Sequence, residues 1–390
     1  MLSNQPMYTG MIPVQPGSGS GSTPAEQPQG AAHPDATKPR MFTGRSSLPA
    51  PRTESIQRLY SVPEYMRVAA QHWSRIENQA DQSVRSARLA ASVIFVRDGD
   101  NGLETILTYR PGCSPLGIVA FPGGAVREDD SHPLPWHGPS PEAWRKKLHF
   151  DSVDSARASV IAAIRESFEE TGILLAGSDS QSVAEYSAGD EHMCQRSAVA
   201  LEDRSFNEFL RLTGLQARTD LLRAVDRWQS PDFFHKRFDT SYFTAAIPVG
   251  QRAKLLREKG VWGDWINVRQ LLAERNTTAL GDAIGQENTV GKKLEELIAP
   301  GVMCMLESLA KADSTVAWLA KSRTVRVQKP TLVTSGNSCM LSFMDVVPVA
   351  PKTGRFGAVP AAEKPVADKN AEGTFTGALK TIAPTTKRTA

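Results

Sequence analysis

Residues 152–171 (SVDSARASVIAAIRESFEET) constrain the fold more than any other stretch. At 3.6 residues per turn Val160, Ile161, Ile164 and Phe168 gather on one side, and Glu166, Glu169 and Glu170 on the other. Asp154 or Ser155 offers an N-cap and Gly172 a C-terminal stop, so the spacing predicts one helix with an apolar face to bury. A partner surface lies upstream. Residues 88–97 (RLAASVIFVR) and 103–110 (LETILTYR) are aliphatic and β-branched, and the Asp98-Gly99-Asp100-Asn101-Gly102 run between them carries turn chemistry, which predicts a β-hairpin. A short strand over 118–121 is stopped by Pro122-Gly123-Gly124. Downstream, the pattern predicts a helix over 201–212, strands over 221–228, 238–247 and 265–268, and helical structure over 287–322 packed outside the sheet. Strands alternating with helices and hairpins place the chain in the α/β (α+β) class with a mixed sheet.

The ends differ in kind. Residues 1–53 hold a Gly-Ser repeat at 17–22 and few large apolar side chains, and residues 348–390 are rich in Pro, Lys and Arg, so both are expected to be disordered tails. Residues 54–84 are expected to be a helical lead-in, 85–285 the main domain, with residues 131–157 as an insertion, and 286–347 a C-terminal helical extension. The formal charge is +3, but the tails contribute +2 and +4, leaving the body at −3, too little of either sign to indicate a nucleic acid or a membrane. No aromatic interleaving or recognisable module indicates specific nucleic-acid binding. The absence of a long apolar run and of an apolar leader points to no membrane association and a cytoplasmic protein, and Arg388-Thr389-Ala390 does not match a peroxisomal S-K-L signal. Cys113, Cys194, Cys304 and Cys339 lie far apart, in neither a zinc nor a disulfide pattern.

Three glutamates within about one helical turn repel one another. Such a cluster is either a solvated acidic face or a set of oxygen ligands for a divalent cation. Its surroundings bear on the choice. Phe121-Pro122-Gly123-Gly124 precedes Asp129-Asp130, and the helix reads Arg165-Glu166-Ser167-Phe168-Glu169-Glu170-Thr171-Gly172-Ile173. This resembles the Nudix box, G-x5-E-x7-R-E-U-x-E-E-x-G-U with U aliphatic. Gly124 stands at its first glycine and Asp130 at its first glutamate, and Arg165, Glu166, Glu169, Glu170, Gly172 and Ile173 match its second half. Ser167 replaces an aliphatic residue, and 34 residues separate Asp130 from Arg165 where the box has seven, an insertion of 27. An insertion there, with Trp228-Gln229-Ser230-Pro231 and Arg237-Phe238-Asp239-Thr240-Ser241-Tyr242-Phe243, resembles the acyl-coenzyme A diphosphatase branch. The resemblance covers roughly residues 85–330.

The resemblance implies a Nudix-type α/β/α sandwich with a mixed central sheet, the insertion and extra C-terminal helices. It implies a Mg²⁺- or Mn²⁺-dependent hydrolase of a nucleoside diphosphate linked to another moiety, with coenzyme A or acyl-coenzyme A first and ADP-ribose, NADH or a nucleotide sugar as the alternative. A catalytically silent ligand sensor or scaffold is a further reading, and homodimers are common among such proteins. By resemblance Glu169 and Glu170 are metal ligands with the Gly123 carbonyl, while Glu166 is another ligand or the base. Arg165 would hold the helix against the glycine loop by pairing with a carboxylate, with Gly124 beside the substrate. Arg110 either touches the diphosphate or is solvated, and Glu258 either supplies a further base or belongs to a solvated charged run. Arg237 and Asp239 are expected to pair beneath the site. His132, His137 and His149 lack zinc-like spacing and read as loop residues, and Cys113 has no cationic neighbour to activate it. Trp136, Trp144 and Phe150 give the insertion enough apolar weight to fold as a lid.

Overall fold

The computed structural model describes residues 53–76, 84–112, 114–185, 190–256, 259–335 and 338–348. Both expected tails and Cys113 lie outside these, apart from the first strand's Thr53 and the last strand's Pro348. β1 (Thr53–Ser61) leads to α1 (Glu64–Ser74), then to the hairpin β2 (Arg88–Gly99) and β3 (Gly102–Tyr109). Two short strands, β4 (Val119–Ala120) and β5 (Gly123–Ala125), flank Pro122. The insertion folds as β6 (Trp136–His137) and α2 (Pro141–Leu148), and α3 (Val153–Thr171) is the acidic helix. There follow β7 (Ala176–Gly177), α4 (Asp190–Ala200), α5 (Phe206–Thr213), β8 (Gln216–Arg218), β9 (Arg223–Gln229), β10 (Phe238–Ala246) and β11 (Gly263–Asn267). The remainder comprises α6 (Val268–Ala273), α7 (Ala279–Ile284), α8 (Leu294–Leu297), α9 (Pro300–Leu309), α10 (Thr315–Ala320), β12 (Val327–Gln328), β13 (Thr331–Ser335) and β14 (Ser338–Pro348).

The central sheet runs β11-β3-β2-β10-β9-β12, with β4 on β3 and β5 on β2. It is mixed, because β2 lies parallel to β10 while the β2–β3 and β9–β10 pairs are antiparallel. Alternation along β2 divides the core between the two faces. Ala91, Val93 and Phe95 pack with α3 residues Val160, Ile161, Ile164 and Phe168, whereas Ile94 and Val96 pack with α9 residues Val302, Met303 and Leu306. This three-layer α/β/α arrangement is the expected class.

Two boundary expectations change. The lead-in is not all helical, since β1 occupies its first half, and the C-terminal extension ends in strands. β1 pairs antiparallel with β14 from Thr53↔Pro348 to Ser61↔Met340, closing a separate three-stranded sheet with β13. The helix expected at 201–212 starts later, at Phe206, where Ser205 caps the Glu208 amide.

The insertion is looped out as a buttress. Trp144 is buried against Phe243 edge to face at 5.7 Å, and β6 pairs with β8 in a small sheet of its own. Arg227 ties down the end of α2. Its guanidinium donates to the carbonyls of Leu148 (3.1 Å) and His149 (2.8 Å), lies 3.8 Å from the Phe150 ring, and forms a two-pronged pair with Asp239 at 2.6 Å on each arm. The expected Arg237–Asp239 pair is therefore corrected. Arg237, just before β10, pairs with Asp232 instead, because both Asp239 oxygens are already taken by Arg227 of the adjacent strand β9.

Candidate active site

α3 starts on the Ser152 hydroxyl, which accepts from the Asp154 and Ser155 amides, and stops at Gly172 with φ 77°. The N-cap thus falls two or three residues earlier than expected. The helix is buried on both sides: Glu166, Glu169 and Glu170 keep only 7, 0 and 8 % of their surface, so they are not a solvated acidic face. Ser167, out of place in an aliphatic position, satisfies its hydroxyl on the Ala163 carbonyl at 2.7 Å.

Arg165 organises the glutamates. Its Nε and Nη2 donate to the two Asp130 oxygens at 2.8 Å each, Nη2 also reaches the Ala125 carbonyl (3.0 Å), and Nη1 donates to Glu166 (2.7 Å) and Glu169 (3.1 Å). One guanidinium thereby joins the glycine strand, the residue before the insertion and the helix. The 34 intervening residues leave that pairing intact, since Asp130 and Arg165 meet across the neck of the loop. Burial pulls the Arg165 pKa down, but the surrounding carboxylates outweigh it and hold the guanidinium protonated.

The glycines are required by close approach. A Cβ on Gly123 would stand 2.3 Å from the Ala91 carbonyl oxygen, and one on Gly124 would stand 2.5 Å from the Glu166 carboxyl carbon. The Gly123 amide donates to Glu170 at 3.3 Å. Arg110 sits on the other side of Glu170, its Nη2 3.0 Å from one carboxylate oxygen and 3.2 Å from the Phe121 carbonyl. Its Nε–H is buried and has no hydrogen-bond partner among the described residues. Burial pushes the Glu170 carboxyl up to about 7, with Arg110 opposing and Glu166 adding to the rise. Burial also penalises Glu166, but Arg165, Lys259 and Arg110 outweigh it and hold that carboxyl below its ordinary value.

Three participants carry no sequence signal. Arg127 grips both Glu169 oxygens (2.7 and 3.1 Å), Lys259 reaches the same carboxylate at 2.7 Å, and Arg196 donates to the Glu169 carbonyl through Nε (3.2 Å) and Nη2 (2.8 Å). Arg127 stands inside the first half of the box at a position the box leaves unspecified, whereas Lys259 comes from a loop and Arg196 from α4, far from the box, where no spacing marks them. Glu258 lies outside the described residues, and its neighbour Lys259 is the loop residue that meets the site. The histidines stand apart. His132 is exposed, 3.6 Å from Asp129, and His149 bonds the Val325 carbonyl at 3.0 Å. Among the described residues no three His, Cys, Asp or Glu side chains are gathered to hold an ion as they stand, because cationic side chains occupy the carboxylates. The donor set nonetheless suits a hard divalent cation in kind: buried carboxylates, two of which repel each other, beside a glycine backbone.

Two clefts open beside the glutamates. One of about 200 Å³ is lined by Thr108, Arg110, Glu170 and Lys259. The other, about 860 Å³, runs from Arg110 and Gly124 between Arg85, Arg88, Lys236 and Phe238, and no acidic residue lines it. None of the residues lining these two clefts comes from the insertion, whose Trp144 and Phe150 pack on Phe243 and Arg227 instead.

No family model and no curated protein matches the chain. Among solved structures it is similar to a NUDIX hydrolase from Alicyclobacillus acidocaldarius, at 19 % identity over 62 % of this chain and 99 % of that one, with a TM-score of 0.45. It is similar to a C. elegans Ap4A hydrolase in a binary complex, at 13 % identity over 51 % and 93 % of the two chains, with a TM-score of 0.24. The NUDIX domain of Shewanella oneidensis NrtR, complexed with ADP ribose, gives 12 % identity over 52 % and 86 %, with a TM-score of 0.25. Matches this loose carry no chemistry across, and the functional reading rests on the site.

Proposed function

We propose that the chain is a Mg²⁺- or Mn²⁺-dependent hydrolase that cleaves the diphosphate of a nucleoside diphosphate linked to another moiety, with coenzyme A or acyl-coenzyme A as substrate. The observation that carries the reaction type is the buried glutamate trio beside two clefts, with Glu166 and Glu169 held by Arg165 to Asp130 and the Ala125 carbonyl, and Glu170 held by Arg110 and the Gly123 amide. Glu169, Glu170 and the Gly123 carbonyl are the groups that would hold the ion. Once bound, the ion would screen the phosphates and acidify the attacking water. Water forms a new P–O bond, the bridging P–O bond breaks, and Glu166 accepts the water proton. A Glu166 carboxyl held below its ordinary value is ionised and ready for that proton. Arg110, with its buried Nε–H unspent, donates to a phosphate oxygen. Arg165 is a positioning residue.

The choice of coenzyme A rests on the larger cleft. Arg85, Arg88 and Lys236 line it without a carboxylate partner among the described residues, next to apolar Leu116 and Phe238. Coenzyme A carries a third phosphate on its ribose, which ADP-ribose and NADH lack, and this cleft offers charge beyond what a diphosphate uses. Turnover of coenzyme A and of dephospho-coenzyme A by wild type and by Arg88→Gln/Lys236→Gln tests the reading. The double substitution should raise KM for coenzyme A and leave that for dephospho-coenzyme A unchanged. Equal effects on both would refute the assignment, and turnover of ADP-ribose alone would return the alternative.

The ion pairs on all three glutamates favour one second reading, a silent Nudix-like domain whose carboxylates are structural. Calorimetric titration with Mn²⁺ separates the two, because a silent domain would show no binding at millimolar metal.

A further inference from the structure

A second basic cleft, of about 500 Å³, lies away from the glutamates, lined by Lys147 at the end of α2, Arg223 at the start of β9, and Lys321 and Arg323 after α10. Arg223 pairs in register with Thr244 on β10, whereas the first basic cleft reaches Phe238. Six residues of strand, about 20 Å at 3.3–3.4 Å each, therefore separate the two along the sheet.

The four cations have neutral partners only. Arg323 lies 4.0 Å from the Trp318 ring and donates to the Lys321 carbonyl at 3.0 Å. Arg223 donates to the Leu222 carbonyl at 3.0 Å, and Lys147 Nζ stands 5.8 Å from the Trp144 ring. Among the described residues none of the four is ion-paired, and no acidic side chain lines the cleft. By contrast, Arg58, Arg165, Arg218 and Arg227 all meet carboxylates. Burial, together with neighbouring cations, holds Lys147 and Lys321 below the ordinary lysine value, and burial lowers Arg323 to about 10. Four like charges gathered in a concave wall, with Val316 and Leu319 beside them, are stabilised by a multivalent anion attached to an apolar body.

We propose that this cleft is a second binding site, for a small phosphorylated molecule carrying at least two negative charges, distinct from the hydrolytic site. The test uses the full-length chain in chelator with inorganic pyrophosphate as probe. Lysine acylation followed by mass spectrometry should show Lys147 and Lys321 protected severalfold by pyrophosphate, while Lys146, exposed and one residue away, labels as before. Calorimetry should show binding weakened at least tenfold in Lys147→Gln/Lys321→Gln, both side chains being at the surface. Unchanged labelling of Lys147 and Lys321, equal protection of Lys146, or an isotherm identical to wild type would overturn the proposal. The hydrolytic reading stands or falls separately, since Lys147 and Lys321 line neither cleft beside the glutamates.

Discussion

Asp130→Ala tests whether the Arg165 lock holds the site together. Asp130 is 1 % exposed and accepts two Arg165 hydrogen bonds of 2.8 Å, while its Oδ2 also accepts from the Arg127 amide at 2.8 Å. Removing it leaves two guanidinium donors buried without acceptors, and breaking one side of a buried ion pair costs about 3–5 kcal/mol. Arg165 keeps Glu166, Glu169 and the Ala125 carbonyl, which argues for the lower half of that range. For a domain of this size the unfolding midpoint should fall by roughly 6–15 °C. Glu104→Ala is the control. Its pair with Arg97 is partly exposed, with side chains 43 and 22 % accessible, and such pairs contribute about 0–1 kcal/mol. Calorimetric and urea melts of the two variants decide the matter. If Asp130→Ala lies within about 1 kcal/mol of the control, the lock is not what joins helix, glycine strand and insertion.

Other expectations follow from the same geometry. Glu166→Gln should lower turnover by roughly 10² to 10⁴ with metal binding retained, as measured by steady-state rates and Mn²⁺ titration; an unchanged rate removes it as the proton acceptor. Gly123→Ala should be more damaging to folding than Gly124→Ala, because the first new methyl meets fixed backbone at 2.3 Å, whereas the second meets the Glu166 carboxylate, which can give way by loosening its bond to Arg165. Soluble yield and melting curves distinguish them. Cys194 is exposed, whereas burial pushes the Cys304 thiol up to about 12, so alkylation at pH 8 should modify Cys194 quickly and Cys304 only on unfolding. Rapid native labelling of Cys304 would contradict its packing.

The parts legible in the sequence were those written in local periodicity. The β2–β3 hairpin, α3 and β10 announce themselves by alternation, by the helical repeat and by the turn residues between them. The meeting of Arg165 with Glu166 and Glu169 follows from α3 alone, since these residues lie within one turn or so of each other. The pairing of β1 with β14 was not legible, for it joins strands nearly 300 residues apart, one of them as polar as TESIQRLYS. Lys259 and Arg196 were equally hidden, because a cation that reaches a site from a distant loop or helix needs no spacing relation to it, and Arg127 falls where the box leaves the residue open. The insertion was visible as an anomaly, but its apolar residues are spent on Phe243 and Arg227, and a composition that suits a lid suits a buttress equally well. The acidic face, usually solvated, is buried here because four cations surround it, and only tertiary structure supplies them.

We propose that the glutamates of α3 serve diphosphate hydrolysis. Incubating the purified protein and its Glu169→Gln variant with coenzyme A and Mn²⁺, and identifying the products by mass spectrometry, tests it most directly. Wild type should give 3',5'-ADP and a phosphopantetheine product, neither of them in chelator, and the variant little of either. Intact coenzyme A throughout, together with no turnover of ADP-ribose or NADH, would contradict it.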